Sequence, residues 1–153
     1  MSCSPDLPEG VPRPPHVYVP GKTDRHPEDW FDGIKASALT AKTPQALHQT
    51  AAFQTGLAYL EAGYFWECHE VLEAVWLQTV VPSAERDMVQ ALIQLANAQL
   101  KLLMERPRAT LRLCETVGAH LERCPQSAVT LGLWPAAIRA QMEDVQKRAD
   151  DEL

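Results

Sequence analysis

The placement of proline constrains this chain more than any other feature of its sequence. Seven of the twelve prolines lie within residues 1–27, and the other five stand singly at Pro44, Pro82, Pro107, Pro125 and Pro135. Proline lacks an amide hydrogen and fixes φ, so a dense run of it excludes helix and sheet ladders. We therefore expect residues 1–27 to form an extended arm, either loose or laid across the rest of the chain.

Beyond the arm, apolar residues recur at intervals of three and four, which is the period of an α-helix. Thr43 and Ser83 are suited to cap helices, and several of the single prolines fall where a helix begins or breaks. No segment shows the alternation expected of a strand. The sequence predicts an all-α fold, a compact bundle of about five to six helices in which residues 28–153 form a single domain.

Charge and composition exclude several classes of partner. The formal net charge is −6 at pH 7, and Lys and Arg are not clustered, so nucleic acid and anionic membrane surfaces are not expected partners. The amino terminus has no apolar core of a signal peptide, and no later apolar run is long enough to cross a bilayer. The four cysteines contain no C-x-x-C pair, which favours free, buried thiols. We expect a cytoplasmic protein.

The predicted third helix contains the stretch GYFWECHEVLEAVW, residues 63–76, with His-Glu-x-x-Glu at its centre. At helical spacing, His69 shares a stripe with three apolar residues, Phe65, Leu72 and Trp76. We therefore expect His69 to be at least partly buried, with Glu73 one turn later at the edge of the same face and Glu70 beside it. Because a buried carboxylate needs a partner, His69 and Glu73 are expected to contact each other. Glu67 is expected to face solvent or a neighbouring chain.

The predicted fourth helix is apolar nearly all round except for one polar stripe, consisting of Gln90, Gln94, Asn97 and Lys101. Amides both donate and accept hydrogen bonds, and in a row they indicate groups that bind in a confined place. We expect this row to face His69 and Glu73 across the bundle. With Trp76, the four residues would bind a small polar ligand in a pocket inside an apolar frame.

Three interpretations of this site remain open from the residues alone. His69 and Glu73 could hold a divalent metal ion if a third ligand came from Asp87, Glu70, His26 or His48, although the zinc-protease pattern H-E-x-x-H is lost at Glu73. The pair could also act without metal, with His69 carrying protons and Glu73 orienting it. The third interpretation is a hydrogen-bonded core network without chemistry.

The run from Gly63 to Trp76, followed by QALIQLA from Gln90, resembles the bacterial and archaeal family called domain of unknown function 309. The similarity covers about residues 49–121. It implies a small helical bundle, and the family carries the label of predicted metal-dependent hydrolase. Seven residues match its motif: Glu67, His69, Glu70, Glu73, Trp76, Gln90 and Gln94. Many members have a His where this chain has Lys101, which cannot ligate a metal while protonated. Lys101 could instead pair with Glu70 or Glu73.

These observations support three hypotheses of function. The first is a hydrolase in which His69, Glu73 and Glu70 hold a metal or activate water. The second is a protein that binds a small polar ligand or anion through the amide row without reacting it. The third is a non-catalytic interaction module, such as a homodimer, in which the motif fixes helix packing.

Overall fold

The computed structural model describes residues 6–153, which form a helical bundle preceded by an extended arm. Its α-helices are α1 (Asp32–Ala36), α2 (Ala51–Ala62), α3 (Phe65–Trp76), α4 (Ala84–Leu103), α5 (Pro107–Glu122) and α6 (Pro135–Asp151). Two 3-10 helices, Ser37–Thr40 and Pro44–Gln49, connect α1 to α2. No strand occurs in the described residues, so the prediction of an all-α fold is confirmed.

Consecutive helices pack against one another: α2 on α3, α3 on α4, α4 on α5 and α5 on α6. The helix α4 lies at the centre, and most of its apolar residues are buried, with Met88, Leu92 and Leu95 fully so. The long apolar run that the sequence shows in this helix is therefore explained by contacts on most of its sides. None of the described helices combines the length and the apolar character that crossing a membrane requires.

The helix starts follow the capping residues, with one correction. Ser83 caps α4 as expected, because its Oγ accepts a hydrogen bond from the amide of Arg86 at 3.1 Å. The sequence suggested Thr43 as the cap of an α-helix, and this is wrong, because Thr43 makes no side-chain cap hydrogen bond and a 3-10 helix follows it. Thr50 adopts an extended backbone conformation and ends the 3-10 helix, and its Oγ1 accepts from the amide of Phe53 at 3.2 Å. Thr50 is therefore the residue that begins α2.

The described part of the Pro-rich arm lies across α2 and α3. The Tyr59 hydroxyl donates a hydrogen bond of 2.6 Å to the carbonyl of Pro12, and Val19 is buried. The amide of Tyr18 donates to Glu67 Oε2 at 2.8 Å. These contacts anchor the arm at several points along its length.

Glu67 and His26 form a buried pair that joins the arm to α3. His26 Nε2 lies 2.7 Å from Glu67 Oε2, and neither side chain has any exposed surface. The prediction that Glu67 faces solvent or a neighbouring chain is therefore wrong. The carboxylate faces the protein's own arm, where Oε2 accepts from one backbone amide and contacts one imidazole nitrogen, while Oε1 is buried without a partner among the described residues. The aromatic rings of Phe31 and Trp66 lie about His26, with centroids at 5.6 and 6.0 Å.

The closest approach of α2 to α3 occurs at Gly56, and we expect Gly56→Ala to destabilise the protein. A Cβ added there would lie 2.3 Å from Cδ2 of Leu72, which is fully buried and has no free space to enter. Overpacking of this kind costs ~1–3 kcal/mol, and the higher helix propensity of Ala offsets up to ~1 kcal/mol of it. Urea denaturation should show a net loss of unfolding free energy.

Gly118→Ala in the middle of α5 is the matched control. A Cβ at Gly118 would meet no atom closer than 3.7 Å, so only the gain in helix propensity remains and this variant should be stabilised. In a Leu72→Ala background, Gly56→Ala should reduce the unfolding free energy much less, because the added Cβ no longer meets the Leu72 side chain. An equal effect of the two Gly→Ala changes would contradict close packing of α2 and α3 at Gly56.

We also expect His26→Ala to destabilise the arm's attachment by about 3 kcal/mol, because the buried Glu67 carboxylate would keep only the Tyr18 amide as donor. Hydrogen exchange of the Tyr18 amide should become faster, and the urea midpoint should fall. Arg25→Ala changes an exposed neighbour in the same segment and should leave both measurements unchanged. Unchanged exchange at Tyr18 in His26→Ala would show that the pair does not hold the arm.

Candidate functional site

The rotation of α3 about its axis decides which side chains of the motif are accessible. The helix buries Cys68, Val71, Leu72 and Val75, which recur at intervals of three, one and three. The predicted stripe, which included His69 and Trp76, is offset from this face by one residue. His69 consequently lies at the edge of the buried face, half-buried, instead of within it.

His69, Glu70 and Glu73 form a cluster at this edge. One potential ligand atom from each residue lies within 4.8 Å of the other two. His69 Nε2 is 3.4 Å from Glu73 Oε2, and the two side chains are 29% and 53% exposed. The predicted contact is therefore present, but the prediction that it is buried is wrong for Glu73. The one-residue offset of the buried face carries this carboxylate into solvent.

The carboxylate of Glu70 forms an ion pair with Lys35, the basic residue in the last turn of α1. The contact involves Nζ of Lys35 and Oε1 of Glu70. The sequence left open a pairing of Lys101 with Glu70 or Glu73, but Lys101 makes no ion pair with any described residue. The short helix α1 instead brings a cation from the other side of α3, since it packs directly on that helix.

The amide row of α4 forms a hydrogen-bonded chain. Gln94 Nε2 donates to Gln90 Oε1 at 3.0 Å, and Asn97 Nδ2 donates to Gln94 Oε1 at 3.3 Å. All three residues are half-buried. Among the described hydrogen bonds, none joins this chain to His69 or Glu73.

Gln90, Gln94 and Trp76 line a cavity of about 470 Å³ near the start of α4. Neither His69 nor Glu73 belongs to its lining. The structure therefore brings together three of the five predicted ligand-binding residues. His69 and Glu73, which were expected to share a pocket with them, lie outside this cavity. Asn97 continues the amide chain beyond this cavity, and Lys101 also lies outside its lining.

Of the four residues considered as a third metal ligand, only Glu70 joins His69 and Glu73. Asp87 instead accepts a hydrogen bond from His120 Nδ1 at 2.8 Å. His26 is engaged with Glu67, and His48 lies in the 3-10 helix before α2. Glu70 is next to His69 in the chain, so the local sequence completes the cluster.

The described thiols are unsuited to nucleophilic or ligand chemistry. Burial raises the pKa of the Cys68 thiol, and the negative charge of Glu67 raises it further. Burial likewise raises the pKa of Cys114 and Cys124 to about 11. All three are free, buried and protonated at neutral pH, as the sequence indicated. Cys3 lies outside the described residues.

Sequence reasoning missed two features of this region, the burial of Glu67 and the contact of His120 with Asp87. A signal for the first was available, because Glu67, Val71 and Val75 are spaced by four and place the carboxylate on an apolar face. The contact of His120 with Asp87 joins α5 to α4 and depends on tertiary packing, for which local spacing gives no signal.

Comparison with known proteins gives one match. A family model described as a domain of unknown function, DUF309, matches residues 53–113. No curated protein and no solved structure matches the chain significantly. The matched segment extends from α2 into α5 and so contains the His69 cluster and the amide row. The similarity to DUF309 is therefore confined to residues 53–113, the segment that contains the candidate site.

Proposed function

We propose that His69, Glu70 and Glu73 bind a divalent metal ion, and that the protein uses this site to hydrolyse a small polar substrate. The observation that carries the proposal is the convergence of three potential ligand atoms within 4.8 Å of one another on one helix edge. In the described residues, no other group of three His, Cys, Asp or Glu side chains meets this geometry.

The donor set fits such an ion. One imidazole nitrogen and two carboxylates are ligand types that Zn²⁺ and Mn²⁺ accept in proteins. The side chains are partly exposed, so an ion and water can reach them without rearrangement of the core. Three protein ligands leave coordination positions open, as catalytic sites require. A bound ion of this kind would lower the pKa of a water molecule and polarise a substrate oxygen.

The chain's own residues define the shape of the site. His69 and Glu73 are one helical turn apart, so both side chains project over the same patch of surface. Lys35 contacts one oxygen of Glu70, which holds the carboxylate in place and leaves its second oxygen available. Lys35 thus places a positive charge beside the cluster.

The presence of a third potential ligand atom favours metal binding over a metal-free acid–base pair, which would need only His69 and Glu73. Glu70 brings a second carboxylate within 4.8 Å of the other two ligand atoms. Proton transfer by an imidazole needs one orienting carboxylate, whereas a metal ion needs several ligands.

Titration calorimetry of protein purified without a His tag should show one Zn²⁺ or Mn²⁺ site per chain. His69→Ala and Glu73→Gln should each weaken that binding by at least ~10-fold, because each removes a ligand atom. Glu61→Gln, which changes an exposed carboxylate on α2, should leave it unchanged. Absence of any stoichiometric site in the wild type would refute the metal proposal.

The same variants test hydrolysis. Wild-type protein loaded with metal should release 4-nitrophenol from a phosphate or carboxylate ester in a reaction that a chelator stops, and His69→Ala should abolish it. If the protein binds metal but shows no chelator-sensitive turnover of either ester class, the proposal of a metal site stands and the proposal of hydrolysis is rejected.

Lys35→Met should strengthen metal binding several-fold, because the ion would no longer compete with the ammonium group for Glu70 and would meet less positive charge. Lys42→Met alters an exposed lysine in the following segment and serves as the control. The measurement is the same calorimetric titration. Weaker binding in Lys35→Met would contradict this prediction, because it would show that Lys35 positions Glu70 for the metal ion instead of competing with the ion.

A further inference from the structure

A second polar site lies where α3, α4 and α5 meet. The cavity of about 470 Å³ at the start of α4 has a volume typical of small-ligand sites. The cavity is lined by two arginines, Arg86 and Arg123, one carboxylate, Asp87, and one imidazole, His120. None of these residues belongs to the His69 cluster, so the cavity is independent of the proposed metal site.

The one carboxylate in this lining is already neutralised. His120 Nδ1 donates to Asp87 Oδ1 at 2.8 Å, and Arg123 Nη1 lies 3.5 Å from the same oxygen. The side chains of Asp87 and His120 are each only 19% exposed, so this pair is partly shielded from water. Asp87 therefore adds little negative potential to the cavity.

Arg86 supplies positive charge that no described carboxylate balances. Its guanidinium lies over the Trp76 ring, 3.9 Å from the ring centroid. Nη1 donates a hydrogen bond of 3.2 Å to Thr79 Oγ1. A guanidinium carries five N–H donors in a fixed fork, so several of them remain for a ligand. Stacking on Trp76 holds the group in place before any ligand arrives.

The remaining lining also offers donors. The indole Nε1 of Trp76 is buried and has no hydrogen-bond partner among the described residues. An indole nitrogen can only donate, and a buried donor without a partner costs free energy. The amides of Gln90 and Gln94 lie in the same cavity, and each can offer an N–H group. The amide N–H groups and the Arg86 guanidinium therefore give the cavity donors for a ligand and a surplus of positive charge.

We infer that this cavity binds a small anion with a carboxylate or phosphate group, with Arg86 as its principal donor. Carboxylates and phosphates can each accept two parallel hydrogen bonds from a guanidinium, and a neutral ligand would leave the surplus charge unmatched. Lys101, the cation expected from the sequence for this role, lies outside the cavity.

The test uses calorimetric titration of the full chain with inorganic phosphate and, separately, with malonate, at constant ionic strength set by NaCl. The wild-type protein should bind at least one of the two anions at a single site. The anion that binds more tightly shows whether the site prefers a phosphate or a carboxylate group. The test variant Gln90→Glu keeps the acceptor for Gln94 Nε2 but places negative charge in the lining. It should weaken binding by at least ~10-fold through like-charge repulsion.

Gln99→Glu makes the same change of charge on α4 outside this cavity and should leave the affinity unchanged. Arg86→Gln provides an independent check and should also lose at least ~10-fold. The inference is overturned if neither anion binds the wild type. Retained affinity in Gln90→Glu, or an equal loss in Gln90→Glu and Gln99→Glu, would overturn it as well.

Discussion

Burial of the Glu67 carboxylate is the interaction that determines which residues of α3 form the accessible candidate site. Glu67 reaches the Tyr18 amide and His26 only when its side of α3 faces the arm and the core. On a helix, each residue is rotated ~100° from the one before it, so fixing Glu67 fixes every other position. His69, Glu70 and Glu73 are thereby carried to the accessible edge, where a soluble ion can reach them.

Local sequence signals determine the helices of this protein well but not their rotation. Pro107 and Pro135 begin helices, Ser83 caps α4, and Gly63 ends α2 with φ at 92°, as its lack of a side chain permits. These features depend on residues within one turn of each boundary. Thr50 is the exception, since the six residues after Thr43 were compatible with either helical form.

The sequence identifies the residues of the candidate site, but not their exposure or the residues around them. The spacing of His69 and Glu73 predicts their contact on any helix, but two apolar stripes on α3 differ by a single residue. The spacing of Glu67 with Val71 and Val75 favours the observed stripe, but the partners that stabilise a buried Glu67 come from an extended arm more than 40 residues earlier in the chain. The same limit applies to Lys35, which α1 brings to Glu70 from 35 residues away.

The two polar sites lie along one side of α3 and carry opposite charge. Trp76 follows His69 by seven positions, which is about two helical turns. Both side chains therefore lie on nearly the same face, roughly 10 Å apart along the axis. That separation exceeds the reach of a metal–ligand bond. An anion bound beside Arg86 would therefore not be a ligand of a metal ion bound at His69, and the two proposed sites are separate.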